Sequence, residues 1–308
     1  MEWLIFVAIT VVFDSSRIFI DNYISDVYFD GHTAVSQKYY YAYLFVILAA
    51  VIMLITGVDF SAPLPLLLFT ASGIMSSLAG IPYYRALELD DSTNLGIFMQ
   101  LAPVLYLILG WLFLGDSFSA IQLAAFALIL SAPLLIIATT KKRSRKIKIK
   151  AVLYAFLFVT IAVTGNFIFV KQNATHAELN FFTEMAFVFL GKGLGNFLIL
   201  AFKPKWCRRF RTVAKRNKKI FRPLTTSAVF SITKDFTYRA ALTLAPSAAI
   251  ASAASDSSEP IVIFFMGLLL TLISPKIGRE KLAKKPVIIH LIATALVVTG
   301  VILLRKFS

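Results

Sequence analysis

Residues 121–135 read IQLAAFALILSAPLL, and residues 289–303 read IHLIATALVVTGVIL. At this constant offset the segments share Ile, Leu, Ala, Ala, Leu and Leu at positions 121, 123, 125, 127, 128 and 135. Two further similarities follow the same order along the chain: YRALEL at 84–89 with YRAALTL at 238–244, and Pro103 with Pro260 in the next apolar stretch. Three matches in one order indicate an internal repeat.

The composition is that of a membrane protein. Of the 308 residues, 58% are hydrophobic and 15% charged, and the mean hydropathy is +0.80, whereas soluble domains carry about 25% charged residues. Ten apolar segments are long enough to cross a bilayer as helices. We predict spans at about residues 3–24, 39–57, 64–87, 93–114, 119–139, 151–171, 180–202, 223–245, 247–274 and 286–305.

These spans define two halves. Residues 1–140 hold five spans, residues 151–308 hold five more, and the basic segment 141–150 links them. Because five is odd, the second half enters the membrane upside down relative to the first. The sequence therefore predicts an all-α integral membrane protein with ten transmembrane helices in two inverted five-helix repeats, an architecture used by secondary transporters.

The basic residues are distributed unevenly. The loops joining spans 5–6, 7–8 and 9–10 hold most of them, so that 23 Lys and Arg lie on one face and 3 on the other. By the positive-inside rule these loops are cytoplasmic and both termini lie outside. We expect the basic loops to lie near anionic lipid headgroups. No nucleic-acid partner is expected, because no recognition fold fits into loops this short.

Residues 84–136, YRALELDDSTNLGIFMQLAPVLYLILGWLFLGDSFSAIQLAAFALILSAPLLI, resemble the closing half of an EamA-type repeat of the drug/metabolite transporter superfamily. The resembling features are a Tyr-x-Ala-Leu helix end, a central proline, a Leu-Gly-acid turn and a Gln-containing helix. In this chain they are Tyr84 to Leu87, Pro103, Leu114-Gly115-Asp116 and Gln122, and in the second half Tyr238 to Ala240, Pro260, Gly278-Arg279-Glu280 and His290.

Two features depart from this family pattern. Asp116 stands where the family has glutamate, and Arg279 displaces that glutamate in the second half. Family members are also drawn with cytoplasmic termini, opposite to the orientation that the charge distribution predicts here. The resemblance implies export of amino acids or similar solutes, or exchange of larger anions such as nucleotide sugars.

Ionisable residues within the spans are the candidate binding groups, because such groups are costly in hydrocarbon. In span 1, Asp14, Arg17 and Asp21 share one stripe, with Asp21 near the helix end and expected to be solvated. In span 8, Lys234 and Tyr238 share a stripe. Each set is interpreted either as a wall of a polar cavity or as ion pairs that only join helices.

The ninth span carries Ser252, Asp256 and Glu259 on one stripe, followed by Pro260. Two neighbouring carboxylates repel, so we expect one of them to hold its proton at neutral pH. Asp256 or Glu259 is therefore the predicted carrier of a coupling proton. The alternative is that both pair with cations across the bundle.

Three more residues complete the candidate set. Lys192 lies near the middle of span 7, among glycines at 191, 193 and 195 that we interpret as close helix-packing positions. Gln100 and Asn166 are interpreted either as substrate donors or as interhelical hydrogen-bonding groups.

The sequence thus predicts a secondary active transporter in the plasma membrane that moves small polar metabolites such as amino acids, with export as the expected direction. The alternatives are a nucleotide-sugar or organic-anion exchanger, a non-transporting scaffold, or an intramembrane enzyme. We expect no metal site, because one cysteine and three histidines lie far apart. We also expect no cofactor and no enzymatic activity, since the serines of the ninth span have no histidine or lysine on that helix to act as a base. Homo-oligomer formation is left open.

Overall fold

A computed structural model describes residues 2–29, 37–57, 62–89, 101–140, 149–176, 179–202, 204–273 and 284–307. Of these described residues, 93% lie in helices and none lies in a strand. Helices satisfy every backbone donor and acceptor within one segment, which an apolar environment demands. The predicted all-α class is confirmed.

The described residues form twelve α-helices. Those of the first half are α1 (Glu2–Tyr28), α2 (Lys38–Thr56), α3 (Pro63–Leu78), α4 (Gly80–Leu89), α5 (Leu101–Phe113) and α6 (Ala120–Thr140). Those of the second half are α7 (Ile149–Thr175), α8 (Phe181–Phe202), α9 (Pro204–Arg216), α10 (Phe221–Leu244), α11 (Ala248–Ile273) and α12 (Lys284–Phe307). A short 3₁₀ turn, Lys218–Ile220, joins α9 to α10.

Five helical segments within the described residues are long and apolar enough to cross a membrane: Glu2–Asp21, Lys38–Thr56, Pro63–Tyr83, Ile149–Thr175 and Phe181–Phe202. Leu101–Phe113, Ala120–Ala132 and Leu291–Leu303 are shorter apolar helices. The helices α10 and α11 have 24 and 26 residues and contain several ionisable side chains. The chain therefore has the helices of an integral membrane protein, and its ten spans remain a prediction.

The segment predicted as the loop between spans 7 and 8 contains a helix, α9. Its sequence, PKWCRRFRTVAKR, alternates apolar and basic residues at helical spacing. Phe210 is only 3% exposed and packs in a cluster with Ile24, Phe29 and Leu224. The apolar side of α9 is thus covered by the protein, while most of its basic residues are exposed.

The described chain divides into two compact units. Unit 1 comprises Met1–Ser16, Ala86–Phe156 and Thr233–Ser308, and unit 2 comprises Arg17–Arg85 and Leu157–Ile232. Each unit combines segments from both halves of the chain. The units therefore divide the chain differently from the predicted repeats at 1–140 and 151–308, which remain a prediction.

In unit 2, α8 packs against α2 and α3 through glycines. A Cβ atom at Gly191 would overlap the carbonyl oxygen of Thr70, and one at Gly73 would overlap that of Val188. Only hydrogen at these positions permits such a close backbone approach. The interpretation of the α8 glycines as close helix-packing positions is confirmed.

In unit 1, α6 packs against α12, and α11 packs against α5, α6 and α12. Ala132, Ile261, Ala293 and Val297 form a buried apolar cluster among these helices. Small residues again permit close helix contact.

The turn after α5 contains the Leu114-Gly115-Asp116 motif. Gly115 has a φ of +75°, which only glycine adopts without strain. This conformation lets the backbone N–H of Asp116 donate to the carbonyl oxygen of Gly110 at 3.2 Å. Partial burial of the Asp116 carboxyl raises its pKa above the usual value.

Replacing Gly191 with alanine is expected to destabilise unit 2 by about 1–3 kcal/mol or more, because the new methyl group meets backbone that no rotamer change can move. Thermal unfolding of the purified protein in detergent measures the loss. Leu194→Ala is the matched control, since Leu194 lies on the same helix and is 41% exposed. Equal melting temperatures for Gly191→Ala and Leu194→Ala would contradict the packing argument.

Candidate functional site

A polar pocket of about 90 Å³ lies inside unit 2. Its lining residues come from α1, α2, α3, α8 and α10 and from the residue before α2. They comprise three cations, one carboxylate, two amides, hydroxyl groups and one phenyl ring, namely Arg17, Lys38, Lys192, Asp21, Gln37, Asn196, Tyr41, Ser76, Ser77, Ser231 and Phe45.

The single carboxylate of this pocket is held in place from two helices. Arg17 Nη1 donates to Asp21 Oδ2 at 3.1 Å within α1. Ser227 Oγ, on α10, donates to the other oxygen, Asp21 Oδ1, at 2.5 Å. Since three cations face one carboxylate, the pocket carries a net positive charge.

Two buried amides give the pocket unused hydrogen-bonding capacity. Gln37 and Asn196 are each 1% exposed. Gln37 Oε1 and Asn196 Oδ1 have no hydrogen-bond partner among the described residues. A buried acceptor without a donor costs about 1–3 kcal/mol. A ligand N–H or O–H group bound in the pocket would remove that cost.

Lys192 is positioned by the glycine contact between α8 and α3. Ser77 Oγ donates to the Lys192 carbonyl oxygen at 2.9 Å, which holds the α8 backbone against α3 at this level. The Lys192 ammonium lies 5.7 Å from the centroid of the Phe45 ring, within the range of a cation–π contact. The close approach that glycine permits therefore places a cation in the pocket wall.

Unit 1 contains a separate polar cluster. Lys234 Nζ lies 3.2 Å from Asp14 Oδ2 and 5.8 Å from the centroid of the Tyr238 ring. The hydroxyls of Thr10 and Thr237 are 2.8 Å apart and share a hydrogen bond. These contacts join the first half of α1 to the second half of α10.

Helix α11 adds Asp256 to the same cluster. Ser252 Oγ donates to Asp256 Oδ2 at 2.7 Å, as the i, i+4 spacing of the two residues allows. Asp256 also interacts electrostatically with Lys234 and Asp14. Tyr238 also interacts electrostatically with Asp256. Lys234 thus interacts with both Asp14 and Asp256.

The structure brings together four predicted site residues in unit 1, namely Asp14, Lys234, Tyr238 and Asp256. It places Arg17 and Lys192 in the pocket of unit 2. Glu259 is half-buried on α11, and Asn166 is half-buried on α7 and does not line the pocket. Gln100 lies outside the described residues.

Nine of the eleven residues that line the pocket, all except Arg17 and Lys192, were not among the predicted site residues, and Asp21, Asn196 and Gln37 show why. Asp21 was expected to be solvated, but its side chain is 15% exposed and lines the pocket. Asn196 follows Lys192 by four residues on α8, so a polar stripe was available as a signal. Gln37 stands at the entry to α2, where the sequence offers no such signal.

A further buried carboxylate lies on α8. Glu184 is fully buried, and Asn173 Nδ2 on α7 donates to both of its oxygens, at 3.1 and 2.9 Å. This contact joins two helices of unit 2. Because Glu184 is not among the residues lining the pocket, we assign it a structural role.

Comparison with known proteins establishes the fold alone. No family model and no curated protein matches the chain. A solved structure described as "Crystal structure of protein" matches with a TM-score of 0.62 at 13% sequence identity, covering 98% of this chain and 99% of its own. The fold is therefore one that an experimentally determined protein of similar length adopts.

Breaking the Asp14–Lys234 pair is expected to cost about 2 kcal/mol, because Lys234→Met leaves the largely buried Asp14 carboxylate without the ammonium group 3.2 Å away. Partial exposure of the two side chains reduces the full penalty of a buried pair. Adding Asp14→Asn is expected to recover most of this loss. Thermal unfolding of both single variants and the double variant measures the coupling. Lys215→Met, at an exposed position on α9, is the control. Additive effects of the two substitutions would show that the pair contributes no coupling.

Proposed function

We propose that this chain is a secondary active transporter of a small polar metabolite, built from ten spans in two inverted repeats. The observation that carries the proposal is the polar pocket of unit 2, with its net positive charge and two buried amide oxygens that find no donor among the residues that the structure describes. Such groups are expensive inside an apolar helical protein and commonly mark a substrate path. A non-transporting scaffold would gain nothing from them.

Helix contacts within the units support the repeat. Matching the five predicted spans of each half in order gives five pairs of segments, and three of them are α2 with α8, α5 with α11 and α6 with α12. All three of these pairs pack directly against each other. Elements near a two-fold axis contact their own copies, so this pairing is what two related halves would produce.

The pocket chemistry favours an amino acid or a related hydroxy acid. Arg17, Lys38 and Lys192 suit a carboxylate, while Asp21 and the amide oxygens of Gln37 and Asn196 accept hydrogen bonds from amino or hydroxyl groups. A volume of about 90 Å³ is also well below the ~300–1,000 Å³ typical of sites for larger ligands. Both features favour a small solute over a nucleotide sugar.

A gradient would supply the energy, since the sequence contains no P-loop. We propose that Asp256 or Glu259 carries a coupling proton. Asp256 shares its cluster with Asp14, Lys234, Tyr238 and Ser252, so its charge state alters the charge balance around Lys234. The enzyme alternative is less favoured, because the Ser252 hydroxyl bonds to a carboxylate of its own helix rather than to a histidine or lysine base.

Purified protein in liposomes is expected to take up one or more amino acids from a panel that also contains nucleotide sugars and organic cations. Lys192→Met and Asn196→Leu are each expected to reduce uptake about tenfold or more, as loss of a hydrogen bond to a charged group predicts. Lys205→Met, at an exposed position on α9, is the matched control and should transport normally. Absence of uptake for the whole panel, or normal uptake by both pocket variants, would refute the proposal.

Asp256→Asn and Glu259→Gln test the proton coupling. If one of these carboxylates carries the proton, its amide variant should keep the fold, and its transport rate should depend less on pH. The reason is that an amide side chain neither takes up nor releases a proton at the pH values of the assay. Asp116→Asn, at a carboxylate in the turn after α5, is the control and should keep the wild-type pH profile. Unchanged profiles for both amide variants would make these residues structural and the protein a facilitator or an exchanger.

A further inference from the structure

A second cavity in unit 2 differs from the substrate pocket in being apolar. Its volume is about 290 Å³, and it lies where α2, α9 and the start of α10 meet. Five aromatic rings and two aliphatic side chains form its walls. We call it the aromatic groove, and its lining is Tyr39, Tyr40, Tyr43, Leu44, Ile47, Phe210 and Phe221.

Ring contacts and hydrogen bonds hold the walls of the groove in place. Tyr39 packs against Phe210 with ring centroids 5.3 Å apart, and Tyr40 packs against Phe221 at 6.0 Å. The Tyr40 hydroxyl shares a hydrogen bond of 2.8 Å with Thr225 Oγ1 on α10. The shape of the aromatic groove is therefore fixed by contacts within unit 2.

One wall of the groove continues as an apolar stripe along α2. Tyr43 and Ile47 are exposed, and so are Val51, Leu54 and Ile55 further along the helix. These positions repeat at helical spacing on one face. Since Lys38–Thr56 is long and apolar enough to cross a membrane, this stripe suits contact with acyl chains.

Helix α9, which contributes Phe210 to the other wall of the groove, and the segment that follows it are strongly cationic. The sequence from Lys203 to Arg222 holds ten basic residues and no acidic one. Eight of these are exposed in the structure: Lys205, Arg208, Arg211, Lys215, Arg216, Lys218, Lys219 and Arg222. A concentration of positive charge at the end of a membrane helix attracts anionic headgroups.

Among these basic residues, Arg211 lies directly beside the aromatic groove. Its Nε and Nη2 atoms donate to the Tyr39 hydroxyl at 3.3 and 3.1 Å. Its guanidinium carbon lies 5.2 Å from the centroid of the Tyr39 ring. The guanidinium is thus fixed beside the groove, with its exposed side available to a phosphate.

We propose that the aromatic groove binds an anionic glycerophospholipid, with the phosphate beside Arg211 and an acyl chain lying in the groove and along the apolar stripe of α2. Free phosphate would leave the apolar cavity unused, and an acidic protein would have to insert an apolar segment beside a membrane helix. A lipid with an anionic headgroup matches both the charge and the apolar path. This inference is independent of the proposed transport activity.

Native mass spectrometry of the delipidated full chain, titrated with dioleoyl phosphatidylglycerol or dioleoyl phosphatidylcholine, tests the proposal. We expect one tight site that prefers phosphatidylglycerol. Arg211→Gln should weaken phosphatidylglycerol binding about fivefold, as expected for the loss of one cation near a headgroup, while Arg211→Lys retains the preference. Arg216→Gln, an exposed basic position on the same helix, should change binding less than Arg211→Gln.

Ile47→Trp tests the groove separately, because the larger side chain occupies the proposed acyl path and Ile47 is exposed enough to accept it. It should weaken binding of both lipids, whereas Leu54→Trp, further along the same stripe, should have a smaller effect. Equal affinity for the two lipids, equal effects of Arg211→Gln and Arg216→Gln, or normal binding by Ile47→Trp would overturn the proposal. Displacement of the lipid by excess inorganic phosphate would also overturn it, since the site would then recognise phosphate alone.

Discussion

The structure depends on the requirement that backbone polar groups in an apolar environment find their partners within the same helix. Because of this requirement, the described chain is almost wholly helical. Its backbone groups are already paired within the helices, so the binding of a ligand depends on side chains. A buried polar side chain therefore either pairs with another side chain or with a ligand, or it raises the free energy of the folded state. The distribution of such groups is informative for this reason.

Helix α8 shows how packing and recognition use different parts of one helix. Gly191 faces α3 at a distance that no side chain would permit. Lys192 and Asn196, one helical turn apart, line the polar pocket. The glycine contact makes a rigid wall, and that wall places a cation and a buried amide at one site. A ligand bound there would meet side chains that need little reorganisation.

Charged residues have three distinct environments. In unit 1, Lys234 interacts with both Asp14 and Asp256. In the pocket of unit 2, cations outnumber acids. On α9 the basic residues are exposed and lie next to an apolar groove. The same residue types therefore stand in different electrostatic environments, because burial and neighbouring charges decide how far each charge is neutralised.

The sequence by itself determined the helical class, the close-packing role of the α8 glycines and the presence of ionisable residues on apolar helices. Hydrophobicity and small-residue spacing are local properties and can be counted along one chain. It also indicated four residues, Asp14, Lys234, Tyr238 and Asp256, that the structure collects in one cluster. Only the tertiary structure decided which charges meet, since Asp14 pairs with a lysine 220 positions away along the chain. It likewise revealed the burial of Gln37 and Asn196 and the residues that cover the apolar side of α9. The amphipathic pattern of α9 can be read from its sequence, but the distant segments that bury one face of a helix cannot be identified from helical periodicity.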